Sequence, residues 1–173
     1  MTAMLRNLAL LPAELGTLLL RRRWMMATAE SCTAGGIAYA VTQVPGSSDW
    51  FERGFVCYSN VAKHELLGVP DEMLERHGAV SEPVAAALAR GALASSHAQF
   101  AVSVTGIAGP GGGSPGKPVG TVCFGWALQP GATAEPVVVV STRRFDGDRA
   151  AVRTQSIVAA LEGALAQLRA LES

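Results

Sequence analysis

Residues Trp24 to Thr42 read WMMATAESCTAGGIAYAVT. The stretch opens with a short apolar run that stops at a polar cluster, which predicts a buried strand over Trp24–Ala29. The residues from Thr33 to Thr42 predict a helix. Ser31 therefore falls where a strand ends and a helix begins, a place where backbone amides and a helix dipole can stabilise an oxyanion.

Working outward, Leu8, Leu11, Leu15, Leu18 and Leu19 recur at three- and four-residue steps. This spacing predicts an amphipathic helix over 12–22, with Pro12 in its first turn. The turn-rich VPGSSDW (44–50) leads to GFVCYS (54–59), whose aromatic and β-branched residues predict a second strand. Ser59 or Asn60 can cap a short helix that ends before Gly68, where LLGVP supplies a glycine and a proline. Ser81 caps an alanine-rich helix running to about Ser96, expected to pack on a sheet through its small residues. QFAVSVTG (99–106) predicts a central strand. Val119–Leu128 and Pro136–Arg144 predict two more, joined by the turn QPGATAE as an antiparallel hairpin. A long helix follows from Asp148 to about Leu171, with Asp146 as its expected cap. Helices between the early strands and a hairpin late in the chain predict one α/β domain over 1–173. Its expected form is a three-layer α/β/α sandwich with a mixed sheet of about five strands.

Composition narrows the function classes. Of 173 residues, 49% are hydrophobic and 16% charged, and 14 basic side chains balance 14 acidic ones. A neutral chain has no global field to gather nucleic acid or an anionic membrane, so any anion site must be local. Cys32, Cys57 and Cys123 show neither CxxC spacing nor an even count, which suits reduced thiols in a cytoplasm rather than disulfides or zinc. The apolar N-terminal stretch is broken by Pro12 and Glu14 and followed by Arg21, Arg22 and Arg23, unlike a secretory signal. No apolar run reaches membrane-spanning length. His64, His77 and His97 lack ligand spacing and are expected at the surface, so no metal is expected.

Ser31, Tyr58 and Lys63 are the parts of a serine/lysine hydrolase. A serine hydroxyl needs a neighbouring base, and a lysine serves only if its pKa falls from about 10.4 toward roughly 7 to 8. The residues themselves leave two readings open: Ser31 as nucleophile or simple helix cap, Lys63 as base or solvated surface group. Cys32 is a rival nucleophile, or a buried inert thiol. In the functional reading the Tyr58 phenol relays a proton or orients the amine. Gly111–Lys117 matches GxxxxGK by letter, but Pro118 stands where a magnesium-binding hydroxyl belongs and a strand follows instead of a helix, so it is not a phosphate-binding P-loop. The run Gly106–Gly120 is expected to cover substrate or to be disordered. Arg149 and Arg153, one turn apart at the start of the last helix, are candidates for holding a phosphate or for surface ion pairs.

AESCTAGG, VPGSS, YSNVAK, LLGVP, GAVSE, TGIAGPGGGSPGKPVGTV and FDGDR occur in the order and spacing of the CinA C-terminal domain family, which the chain resembles from about Leu15 to Leu168. The resemblance implies an amidohydrolase that converts nicotinamide mononucleotide to nicotinate mononucleotide and ammonia, without metal or organic cofactor. It implies Ser31 as nucleophile, Lys63 as general base and Tyr58 as their hydrogen-bonding partner. For substrate it implies contacts from Thr33, Gly35, Thr105, Gly106 and Ile107, with Arg149 toward the phosphate. One departure is Ala34, where many relatives have glycine; its methyl is expected to narrow the pocket if the site needs positive φ. A non-catalytic nucleotide-binding module and an amidase for another carboxamide stay open. The partner is expected to be a small-molecule nucleotide, with no nucleic acid and no membrane; the apolar first helix and the alanine-rich third make a homodimer a reasonable expectation.

Overall fold

A computed structural model describes residues 3–131 and 134–172. Its element order is α1 (Ala3–Arg22), β1 (Met26–Glu30), α2 (Gly36–Thr42), a short 3-10 turn at Ser47–Asp49, β2 (Phe51–Val56), α3 (Asn60–Leu67), α4 (Asp71–His77), α5 (Glu82–Ala94), β3 (Phe100–Gly106), β4 (Thr121–Leu128), β5 (Val137–Arg144) and α6 (Arg149–Ala170). The five strands form one mixed sheet in the order β2-β1-β3-β4-β5. β1 runs parallel to β2 and β3, while β4 and β5 form the antiparallel end. The expected α/β/α sandwich with five strands is what the chain builds, and β3 is indeed central.

The two faces of the sheet are packed by different chemistry. On one side Phe100, Val102, Val104, Phe124 and Trp126 meet Leu15 and Leu19 of α1, Ile37 and Val41 of α2, and Leu161, Leu165 and Leu168 of α6. On the other, Ala27, Ala29, Ala101 and Ala127 meet Val84, Leu88, Ala89 and Ala92 of α5, with Leu67 and Leu74 from α3 and α4. Small residues on both partners bring α5 close to the sheet: a Cβ on Gly125 would sit 2.7 Å from the Ala85 carbonyl oxygen. Ser103, buried on that face, donates to the same oxygen at 2.6 Å.

Several boundaries differ from the sequence expectation. α1 begins before residue 12 and runs through Pro12. Leu8 and Leu11 already pack on the core, so burial outweighs the hydrogen bond that proline cannot donate. β2 starts at Phe51, earlier than Gly54. α4 is a helix the sequence reading did not assign, although Asp71 and Glu72 favour its first turn. Asp148, not Asp146, caps α6, accepting from the Ala151 amide at 2.8 Å. Part of the expected QPGATAE turn, residues 132–133, lies outside the described residues. No helix among the described residues is long and apolar enough to cross a membrane.

Candidate active site

The three parallel strands end at one edge of the sheet, where α/β proteins commonly place ligands. β1 ends at Glu30, paired with Val56 of β2 and Val104 of β3. Beyond these ends the Ser31 amide donates to the Val104 carbonyl at 3.0 Å and the Cys57 amide to the Glu30 carbonyl at 2.9 Å. Ser31 and the Cys57–Tyr58 segment thus emerge side by side. A cleft of about 220 Å³ opens there, lined among others by Ser31, Tyr58, Asn60, Lys63, Thr105 and Arg149.

Lys63 reaches this cleft from α3. Ser59 caps that helix, accepting from the Ala62 amide at 3.0 Å, which turns the face bearing Lys63 and Leu67 inward; both side chains are buried. Lys63 is 1% exposed. Its Nζ donates to Ser31 Oγ at 3.3 Å, to the Cys57 carbonyl at 3.1 Å and to the Tyr58 carbonyl at 3.1 Å. All three acceptors are neutral, and among the described residues no carboxylate pairs with the amine. Burial lowers the amine's pKa from its ordinary 10.5, because a cation loses more than a neutral amine on leaving water.

The Tyr58 phenol stands elsewhere than expected. The amine touches Tyr58 through the main-chain carbonyl, whereas the phenol oxygen accepts from Arg149 Nη2 at 2.8 Å. The Arg149 Nη1 donates to the Gly109 carbonyl at 2.9 Å. Arg149 therefore ties the glycine-rich loop to Tyr58 across the mouth of the cleft. Arg153 points elsewhere, donating to the Thr33 carbonyl at 2.9 Å, so the two arginines form no common clamp.

Of the residues expected to contact substrate, Thr105, Gly106 and Arg149 line the cleft, and Thr33, Gly35 and Ile107 do not. Thr33 is buried with its hydroxyl on Glu30 at 2.7 Å. Gly35 takes φ 88° at the start of α2, and the Ile107 amide bonds the Thr121 carbonyl at 2.9 Å. Thr105 donates its hydroxyl proton to the Ala79 carbonyl at 2.9 Å, so that proton is committed within the protein. Ala34 does need a left-handed backbone, with φ 49°. Its side chain is exposed and outside the cleft lining, so the methyl strains the turn instead of narrowing the pocket.

Cys32 lines the cleft, but burial pushes its thiol up to about 12, too high for a thiolate at neutral pH. Cys57 is pushed up to about 11 for the same reason. The loop Gly106–Gly120 is held at several points: Lys117 donates to the His77 carbonyl at 2.6 Å, and the Gly120 amide to the Ile107 carbonyl at 2.8 Å.

Two features escaped the sequence reading. Asn60 lines the cleft from the first turn of α3, a place that becomes visible only once the strand ends are aligned. Glu30 is a buried carboxylate at the end of an apolar strand; a charge directly before a candidate nucleophile was the available signal. Glu30 accepts from the amides of Ile37 and Ala38, both at 2.9 Å. The N-terminus of α2, expected to serve an oxyanion, is thus already occupied. No backbone carbonyl among the described residues accepts from the amides of Cys32 and Thr33, in the turn itself.

A sequence model of the CinA C-terminal domain matches residues 9–168. The chain belongs to the CinA C-terminal domain family. Within it, the chain is 53% identical over 155 residues to a Pseudomonas putida protein named nicotinamide-nucleotide amidohydrolase PncC, covering 90% of this chain and 93% of that one. It is 50% identical over 152 residues to the Escherichia coli protein of the same name, covering 88% and 89%. A putative competence-damage inducible protein of Symbiobacterium thermophilum is 53% identical over 154 residues, but these make up only 36% of that longer chain. Among solved structures, the competence/damage inducible protein CihA from Agrobacterium tumefaciens superposes with a TM-score of 0.85 at 42% identity, covering 94% of this chain and 96% of that one.

Proposed function

We propose that the protein hydrolyses the carboxamide of nicotinamide mononucleotide, releasing nicotinate mononucleotide and ammonia, with Ser31 as nucleophile and Lys63 as general base. The observation that carries this reading is the buried Lys63 amine 3.3 Å from the Ser31 hydroxyl. The names of the relatives supply the substrate.

A neutral amine has two N–H bonds and one lone pair. The Cys57 and Tyr58 carbonyls accept the two N–H bonds, which leaves the lone pair to take the Ser31 proton as Oγ attacks the carboxamide carbon. The resulting oxyanion accepts from the turn amide of Cys32, which lines the cleft beside Ser31. The Lys63 ammonium then protonates the leaving nitrogen, ammonia departs, and an acyl ester on Ser31 remains. Water attacks that ester with Lys63 again as base, restoring the free hydroxyl and the neutral amine. The cleft, at about 220 Å³, is smaller than a typical site for a drug-sized ligand. It suits the reacting ring, with the phosphate lying outward near Arg149.

The same three contacts also suit an ammonium, which donates to all three acceptors and activates nothing. A chain held in that state binds the nucleotide without turnover, which is the alternative reading. Ammonia release from nicotinamide mononucleotide by the purified protein separates the two. Full activity in Ser31→Ala would sink the nucleophile assignment.

A further inference from the structure

We propose that Glu30 is a positioning residue of this site: its carboxylate holds the turn that carries Ser31 and the Cys32 amide beside it. The inference rests on the reading of Ser31 as the nucleophile.

Glu30 is 1% exposed. Its Oε2 accepts from the Thr33 hydroxyl at 2.7 Å and the Ile37 amide at 2.9 Å, and its Oε1 accepts from the Ala38 amide at 2.9 Å. Both oxygens are thus engaged, one donor coming from within residues 31–35 and two from the start of α2 beyond them, so the carboxylate ties the turn to the helix that follows. Arg153 Nη2 also donates to this turn, at the Thr33 carbonyl. The main chain of Glu30 and Ser31 is meanwhile fixed in the sheet, through the Cys57 amide and the Val104 carbonyl.

Such bracing has a physical purpose. Ala34 and Gly35 both adopt left-handed φ, 49° and 88°, and a non-glycine residue there persists only when its surroundings impose it. Three donors converge on one side chain, so only a group that accepts at every position satisfies them. A glutamine in the same pose would turn its NH₂ toward a donor and leave a buried amide unpaired. The carboxylate also takes the amides at the start of α2, which confines oxyanion stabilisation to the turn beside Ser31. Thr33, expected at the substrate, instead links Glu30 to this turn.

The test compares Glu30→Gln, Thr33→Val and Thr33→Ser in steady-state hydrolysis of nicotinamide mononucleotide, with circular dichroism to verify folding at the assay temperature. Misplacing a nucleophile by a fraction of an ångström lowers turnover more than binding, so Glu30→Gln is expected to lose about 10- to 100-fold in kcat with KM within about threefold. Thr33→Val should lose about tenfold in kcat, and Thr33→Ser, which keeps the hydroxyl, should recover most of that loss. Labelling of Ser31 by a sulfonyl fluoride, followed by mass spectrometry, should slow in parallel with kcat. Folded Glu30→Gln with unchanged kcat and labelling rate overturns the proposal while leaving the nucleophile reading intact. Should Glu30→Gln fail to fold, equal kcat for Thr33→Val and Thr33→Ser overturns it. Activity in Ser31→Ala, by contrast, strikes the underlying reading.

Discussion

On the proposed mechanism Lys63 sets the pH behaviour of the site, and its sign follows from burial. The base works only when neutral, so kcat/KM should rise with pH through the amine's lowered pKa and level off before the ordinary value of 10.5; a pH profile measures this, and an acid limb centred at that ordinary value would contradict it. Stability follows the same direction. Between the lowered folded pKa and the ordinary unfolded one, the unfolded chain binds more protons, so stability rises with pH across that window and the buried cation is disfavoured at full cost below it. Lys63→Met should abolish both activity and this slope, read from melting temperature against pH. Cys32→Ala should keep activity within about threefold, because a thiol titrating near 12 supplies no thiolate at neutral pH. Ala34→Gly should relieve the left-handed backbone at φ 49° and stabilise the fold by about 0.5–1 kcal/mol, raising Tm by roughly 2–3 °C. The motif that holds Ser31 was legible as a strand-to-helix turn. The bracing carboxylate was not, because which donors meet Glu30 depends on how the turn closes over it.

Among elements, close approach decides the packing. A Cβ on Gly163 would collide with the Trp126 ring, whose Nε1 donates to the Ala160 carbonyl at 3.0 Å. Gly163→Ala should therefore wedge α6 from β4 and cost about 1–3 kcal/mol in urea denaturation, with little direct effect on KM. Helix caps were readable because a cap needs only its neighbours: Ser59 and Ser81 stand where expected. The Asp146 assignment failed by two residues because two aspartates flank Gly147, and only the φ of 111° at that glycine decides which one meets the helix amides. α4 was missed because its seven residues carry too little periodicity. Lys63 was ambiguous for a related reason. Its four-residue spacing from Leu67 puts both on one face, but a lysine on an apolar face reads as buried only when the carbonyls that receive it are known.

For the whole molecule, alternating strands and helices with a late hairpin were enough to read the sandwich. The continuous apolar run of β3 marked it as central, but the sequence does not carry the rest of the strand order, β2-β1-β3-β4-β5. That order is what aligns Ser31 and Lys63, some thirty residues apart, at one sheet edge. Occupancy of the cleft should stabilise the entire fold. Nicotinamide mononucleotide at about 100 times its Kd should protect Ser31→Ala by about 2.7 kcal/mol in a thermal shift assay. The chain carries no net charge, yet the charged side chains lining the cleft are Lys63 and Arg149, with no acid among them. Deamidation replaces a neutral amide with a carboxylate, so each turnover leaves behind a more anionic molecule in a cationic recess. The product itself becomes the counter-ion that the amine lacks, and inhibition by nicotinate mononucleotide should tighten as pH falls and Lys63 gains its proton. An enzyme of this design would be throttled by its own product most strongly in acid.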